Sequence, residues 1–385
     1  MKLLKVKITG LPNFKGELFI DFLAQQRVND DNKENLHNVF SNIYINNAIS
    51  FIGINASGKT TILKALVFTI NLLNNEPINT MKSKDILDDM LVSEKVIFET
   101  CFYYDESVYK LETVVKKEIN DIDASERYII EKEKLFSKGI NKVKTKKSLY
   151  DFGGEVPKIE RNLEEEFLMD DVSIMISLNK KQKKNFLMRD MTRFTDTNRL
   201  NILGEFPEEL LSFLDPSIEK LKCEVDGKDI NICLKFKGKD EILMNHPTQL
   251  NRYLSSGTIK GMRVFMNALF MFKGGGYLIV DELENHFNRE IVATLIRFFL
   301  NKKVNKTGAT IIFSTHYPEL LDEFERNDCI YIVRNRDGIS VENLSNILKR
   351  NDIKKSEAYQ SDFLEGTVPT YEAYMALKKA LIQKW

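Results

Sequence analysis

Cysteine is sparse. Cys101, Cys223, Cys233 and Cys329 lie far apart, with no Cys-x-x-Cys pair and no Cys/His cluster. That argues against a disulfide framework and against a structural zinc site. Long apolar runs are missing too: none approaches the roughly 18 residues that a membrane span needs. The opening MKLLKVKITG is basic but has no apolar core segment. The expectation is a cytoplasmic protein with reduced thiols and no membrane attachment. Neither sign of charge is in excess, with 56 Lys+Arg against 56 Asp+Glu. This excludes a uniformly basic nucleic-acid coat and a strongly acidic tail, but leaves room for local patches. No heptad pattern persists, which excludes a long coiled-coil arm. No internal repeat or low-complexity linker is seen. What is present is 43% hydrophobic and 29% charged residues in 385, enough for an ordinary core. That length fits one large domain with an insertion, or two to three smaller ones.

Along the chain, residues 3–22 alternate apolar and polar around a Gly-Leu-Pro turn and predict two short strands. Residues 25–42 are polar and predict a loop. Residues 48–54 (AISFIGI) form an apolar run suited to a buried strand, and residues 60–73 have helical periodicity. Residues 96–104 and 108–115 predict a hairpin about Asp105-Glu106-Ser107, with a third strand at 127–132. Charge then segregates. Residues 132–147 carry +6, residues 151–171 carry −6 and residues 180–193 carry +5. The stretch from about 160 to 214 reads as helical. Strand character returns at 220–243, and from Leu254 helices and strands alternate as in a parallel α/β core.

Four motifs carry chemistry. Gly53-Ile54-Asn55-Ala56-Ser57-Gly58-Lys59-Thr60 fits G-x-x-x-x-G-K-[ST]. Its glycines let backbone N–H groups curl around phosphate oxygens, and the following helix directs its N-terminus at the same anion. Lys59 would reach the β- and γ-phosphates of ATP, and the Thr60 hydroxyl would hold Mg²⁺. Thr61 completes this nucleotide-binding set. Tyr277-Leu278-Ile279-Val280-Asp281-Glu282 is an apolar strand ending in two acids, where parallel sheets place ligands. Asp281 would hold Mg²⁺ and Glu282 would polarise the attacking water. Ile311–Thr315 is a second such strand, ending at His316, which would then stand near the γ-phosphate. His37 and His246 read as structural or exposed, and His286 as a candidate subunit contact. Leu254-Ser255-Ser256-Gly257-Thr258 offers hydroxyls and a helix N-terminus. By itself it is an ordinary N-cap. With the other motifs it is a candidate second anion site.

In this order the four motifs resemble the ATP-binding cassette heads of the SMC/RecF/OLD class. The G-x-N-x-S-G-K-T loop and the LSSGT form, in place of LSGGQ, are more similar to that class than to transporter subunits. The resemblance narrows to stand-alone bacterial abortive-infection ATPases of the AbiLi type. These share a C-terminal stretch like Arg350-Asn351-Asp352 … Ser356-Glu357-Ala358-Tyr359 … Leu364-Glu365-Gly366 … Pro369. It covers roughly residues 1–105 and 245–370. It implies an α/β ABC-type head, a mixed sheet with an antiparallel β subdomain and a mostly helical charged insert. It also implies two ATP molecules sandwiched in a homodimer, with Ser255, Ser256 and Gly257 acting in trans on ATP held by Gly58, Lys59 and Thr60. Residues 284–288 would be the D-loop and His316 the switch histidine. No Q-loop glutamine can be placed among Gln25, Gln26 and Gln182, and Phe14 is the candidate for adenine stacking.

The expected organisation is a discontinuous head, 1–105 and 215–385, with an insert at 106–214 as the partner-binding subdomain. The expected function is an Mg-dependent ATPase switch. It would form a homodimer or a higher oligomer and control a nuclease- or toxin-like effector encoded nearby, in anti-phage defence. The alternative is a RecF-like DNA-repair ATPase, gripping nucleic acid through the +6 and +5 blocks.

Overall fold

The apolar run at 48–54 is buried on both sides because it lies in the middle of a covered sheet. In the computed structural model, strands Met188–Met191, Tyr277–Val280, Thr310–Thr315, Ala48–Ile52, Ile330–Asn335 and Ile339–Asn343 form one six-stranded sheet in that order. All neighbours are parallel except the last pair, an antiparallel hairpin. Residues 1–119, 125–161, 168–193, 200, 202–226, 229–285, 287–350, 353–368 and 371–384 are described. Side chains alternate between two cores, since successive residues of a strand face opposite sides. Ile49, Phe51, Ile279, Ile312 and Tyr331 join one core, and Ala48, Ile52, Leu278, Ile311 and Ile332 the other. A strand covered on both faces loses the polar half of its alternation.

The first core lies against helix Lys59–Leu73 and a second six-stranded sheet, antiparallel, ordered Glu17–Asp21, Lys2–Thr9, Lys95–Tyr104, Ser107–Ile119, Glu126–Gly139 and Ile159–Glu160. The hairpin turns in two residues, Asp105 and Glu106, at φ 45° and 55°. Positive φ at both positions matches the twist of the flanking strands. The second core lies under helices Ser256–Gly274 and Arg289–Leu300 and a four-stranded sheet of Gly204–Glu205, Ile218–Asp226, Asp229–Phe236 and Ile242–Met244. The 25–42 loop contains a strand, Leu36–Phe40, paired with Ile43–Asn46. Among the described residues, no helix is long and apolar enough to cross a membrane.

Two expectations need correction. The boundary at 105/106 cuts through the antiparallel sheet, because residues 107–116 pair with the whole of Lys95–Tyr104. The region from 160 to 214 is helical only at Met175–Gln182 and Glu208–Leu214 among its described residues, and it contributes the edge strand Met188–Met191 to the central sheet. Pairing there is parallel and to a strand far along the chain, so local periodicity carries no trace of it.

The 106–214 region is thus built into the head, and a buried carboxylate helps hold it. Glu133, 1% exposed, accepts hydrogen bonds from the Thr113 hydroxyl (2.7 Å), the Ser173 hydroxyl (2.8 Å) and the Ile174 amide (2.7 Å). Burial pushes its carboxyl above the usual range. Asn179 continues the seam, donating to the Leu73 carbonyl at 2.7 Å. The charge blocks also meet: Lys134 pairs with Glu160 at 2.8 Å and Lys142 with Glu155 at 2.6 Å. Replacing Glu133 with Ala strips three donors of their partner and should lower unfolding free energy by about 3 kcal/mol. Urea denaturation measures this, and an unchanged midpoint would show that the seam contributes nothing.

Candidate functional site: a phosphate loop facing an acidic strand end

The loop after Ala48–Ile52 admits little besides glycine at its two ends. A Cβ on Gly53 would meet the Val333 carbonyl oxygen at 2.3 Å. Gly58 sits at φ +100°, and a Cβ there would strike the Ile339 side chain at 2.6 Å. Ala56 takes the left-handed conformation at φ 59° without being glycine, a cost of order 1 kcal/mol that concentrates at functional loops. Helix Lys59–Leu73 then begins with no side-chain cap. Its first N–H groups and positive dipole end remain open for an anion. The Ser57 hydroxyl is buried and has no partner among the described residues.

The neighbouring strands bring in the second half. Asp281 ends the strand beside Thr310–Thr315, which in turn lies beside Ala48–Ile52. The Thr60 hydroxyl donates to Asp281 Oδ2 at 2.6 Å, and the Ser314 hydroxyl donates to Asp281 Oδ1. Ser314 Oγ also accepts the Glu282 amide at 2.7 Å. Glu282 is held at φ 47°, so the chain kinks and presents its carboxylate 3.7 Å from His316 Nε2. Asn285 Nδ2 donates to the same carboxylate at 3.3 Å. Glu284 turns inward and accepts the His316 amide at 2.5 Å, with its carboxyl raised by burial.

Lys59 lies at the centre. Its ammonium donates to the carbonyls of Gly53 (2.9 Å) and Ile54 (3.1 Å) and lies 3.4 Å from His316 Nδ1. Burial lowers its pKa to about 8, against the opposing pull of Asp281, Glu284 and Glu282.

A single cavity of about 880 Å³ is lined by Asn55, Ala56, Ser57, Gly58, Lys59, Thr60 and Thr61 together with Glu282 and His316. Gly53 and Asp281 stand directly behind it, bonded to Lys59 and Thr60. Phe14 also lines it. Ser255, Ser256 and Gly257 do not. Ser255 caps helix Ser256–Gly274, its hydroxyl accepting the Thr258 amide at 3.0 Å. His286 and residues 351, 352 and 369 of the C-terminal motif lie outside the described residues. His246 is exposed and caps a short turn. His37 is half-buried, with its pKa pushed down to about 4 by burial. Gln25 donates to Asp21 and Gln26 accepts the Asn327 amide, and neither lines the cavity; the Gln182 side chain lies outside the described residues.

Not legible in the sequence were Ser314, the inward role of Glu284, and the hairpin tip, whose Asn335, Asp337, Gly338 and Ile339 wall the cavity. The tip is anchored by Asn335 Nδ2 on the Ala56 carbonyl (3.1 Å) and by pairing of Ile339 with residues 13–15. Arg336-Asp337-Gly338 is legible as a turn between apolar runs; its place over the loop is not.

The residues suit the group that the motif implies. A hydroxyl and a carboxylate converging as an all-oxygen pair match the preference of Mg²⁺, which takes its remaining positions from phosphates and water. The amide cradle and Lys59 suit a polyphosphate. Among the described residues no group of three or more His, Cys, Asp or Glu is placed to hold a metal by itself.

The family model described as "AAA domain, putative AbiEii toxin, Type IV TA system" matches residues 49–322, well over half the chain. The chain belongs to this family. It is a P-loop ATPase of the AAA class, whose members bind nucleotide with a divalent metal. A solved structure titled "Crystal structure of the SmcHead bound to the C-winged helix domain of ScpA" is similar at 12% identity, with a TM-score of 0.47 over 91% of this chain and 100% of that one. No curated protein matches the sequence.

A lysine with a pKa near 8 loses its proton just above neutrality, and the neutral amine cannot pair with phosphate. Nucleotide holds it protonated. Affinity for ATP should therefore be near its maximum at pH 7 and fall about tenfold by pH 9. Titration with a fluorescent nucleotide at pH 7, 8 and 9 measures this, and a flat profile would mean that Lys59 stays fully charged throughout.

Proposed function

We propose that this ATPase is a molecular switch that works as an ATP-sandwich homodimer and controls an effector protein in bacterial anti-phage defence, in the manner of AbiLi-type ATPases. The observation that carries the reading is the division of the site. One cavity gathers the phosphate loop, Glu282 and His316, while none of Ser255 (exposed), Ser256 and Gly257 (both half-buried) lines it. A helix N-terminus with two hydroxyls that does not reach its own nucleotide site is suited to completing the site of a second copy.

In this reading Lys59 and the amides of residues 55–61 bind the β- and γ-phosphates, and Thr60 and Asp281 hold Mg²⁺, which offsets charge on the phosphate oxygens. Glu282 accepts the proton of the attacking water, and His316, whose Nε2 lies 3.7 Å from the Glu282 carboxylate, stands beside it as the hydrogen-bond partner of the γ-phosphate. The family description, which names a toxin and a toxin–antitoxin system, supports a defence role for the output. The outward face of the charged segment 132–193 is the proposed effector surface. The RecF-like alternative draws less support. Lys134 and Lys142 of its basic block are paired internally, and Lys146 donates to the Ala24 carbonyl, which leaves fewer cations for phosphodiesters.

Glu282→Gln keeps the shape of the side chain but cannot take a proton. It should cut turnover at least about 100-fold and accumulate an ATP-bound dimer in size-exclusion chromatography. Undiminished hydrolysis would remove Glu282 from the mechanism. Ser256→Arg places a bulky cation at the half-buried start of that helix. It should leave ATP binding intact and abolish ATP-dependent dimerisation; a dimer like that of the wild type would refute action in trans.

A further inference from the structure

A second, smaller cavity lies one helical turn from the nucleotide site. Its volume is about 140 Å³, and four separate elements build it. Helix Lys59–Leu73 supplies Lys64, the turn Lys82–Leu87 supplies Lys82 and Ser83, the exit of strand Met188–Met191 supplies Thr192 and Arg193, and helix Ser256–Gly274 supplies Arg263. Lys64 follows Thr61 by three residues, so the two cavities share one face of the phosphate-loop helix.

The charge around this cavity is lopsided. Four cationic side chains line it with one carboxylate, Asp190. That carboxylate is turned to its neighbour in the lining: its Oδ1 accepts both the amide and the hydroxyl of Thr192, at 2.9 and 2.7 Å. Asp85 stands behind the lining and fixes Lys64 at 2.5 Å, with Arg193 at 4.0 Å. Lys82 pairs with no carboxylate among the described residues. Ser83 is only 6% exposed, yet its hydroxyl has no hydrogen-bond partner among the described residues. Ser83 lines the same cavity as these cations, so its hydroxyl has a hydrogen bond left to give, as Asp85 Oδ1 behind it has one left to accept.

We infer that this cavity is a binding site for a free tetrahedral oxyanion, inorganic phosphate, held by the Ser83 hydroxyl and by Lys64, Lys82, Arg193 and Arg263. Size supports a small occupant. The volume equals roughly five waters at about 30 Å³ each and falls below the ~300 Å³ at which pockets for nucleotide-sized ligands begin. The cations exclude a metal ion. An occupant here ties the phosphate-loop helix to the helix that carries Ser255-Ser256-Gly257 and to the edge strand beside Asp281. Its loading is thereby linked to the relative position of the parts that any nucleotide cycle must move. The site itself does not depend on hydrolysis or on dimer formation.

The test is isothermal titration of the full chain with inorganic phosphate while Mg-ADP saturates the phosphate loop. One phosphate per chain is expected. Lys82→Ala/Arg193→Ala alters two exposed side chains and should weaken phosphate binding at least tenfold; Ser83→Ala should weaken it severalfold. ADP affinity, measured separately, should not change in either variant, which keeps a failure here distinct from a failure of the ATPase reading. Absence of phosphate binding by the wild type, or unchanged binding by the double variant, overturns the inference. A short single-stranded oligonucleotide is titrated in parallel. Binding of the oligonucleotide through Lys82 and Arg193 with no binding of free phosphate overturns it as well.

Discussion

The carboxylate of Asp281 sits between two hydroxyls, Thr60 from the phosphate-loop helix and Ser314 from the neighbouring strand. Both hydrogen bonds to a charged acceptor are stronger than neutral ones, and in a buried setting they fix distance and direction together. Three strands of the central sheet are thereby aligned at their C-terminal ends. Ser314 does more, since its oxygen also accepts the Glu282 amide and so supports a backbone conformation that a non-glycine residue adopts only at a cost. The position of the proposed general base therefore follows from the same small network that holds Asp281, the proposed metal ligand. Parallel pairing supplies the rest: with Asp281 at the end of one strand and Thr315 at the end of the next, residues 53–60 can lie nowhere else.

Electrostatics are arranged in the same economical way. A net charge of zero says nothing about the site, where Lys59 is buried among three carboxylates and pushed towards neutrality by loss of solvent. An ammonium in that state gains more from a phosphate than one already well solvated. Elsewhere the opposite blocks at 132–147 and 151–171 answer each other in part across the edge of the antiparallel sheet, through Lys134–Glu160 and Lys142–Glu155. Cations near the second cavity escape this pairing only in part, because Asp85 holds Lys64 and Arg193.

Much of the head was legible residue by residue. Helix Lys59–Leu73 lies where the periodicity of residues 60–73 predicted it. The phosphate loop, Glu282 and His316 meet in one cavity with Asp281 bonded behind it, because each ends or follows a short apolar run that forms a buried parallel strand. Met188–Met191 was illegible for the same physical reason in reverse: four residues at a sheet edge, two of them exposed, carry no alternation to read. The insert boundary failed because Ser107–Ile119 and Glu126–Gly139 look like a free hairpin until Lys2–Thr9 and Lys95–Tyr104 are seen beside them. Glu133 could not be told from the surface acids around it, since its burial comes from Ser173 and Ile174, 40 residues and more away.

Sequence by itself determined the chemistry. Glycine at 53 and 58, lysine at 59, hydroxyl at 60 and paired acids at 281–282 are local requirements of phosphate and Mg²⁺ binding, and local requirements leave spacing that can be read. Only the tertiary structure decided which surfaces close the cavity, that Ser314 and Glu284 brace it, that Ser255–Gly257 stays outside it, and that four distant segments enclose a second cationic cavity around Ser83. Those outcomes depend on contacts between residues far apart in the chain, where packing and hydrogen-bond satisfaction act and no short-range pattern records the result.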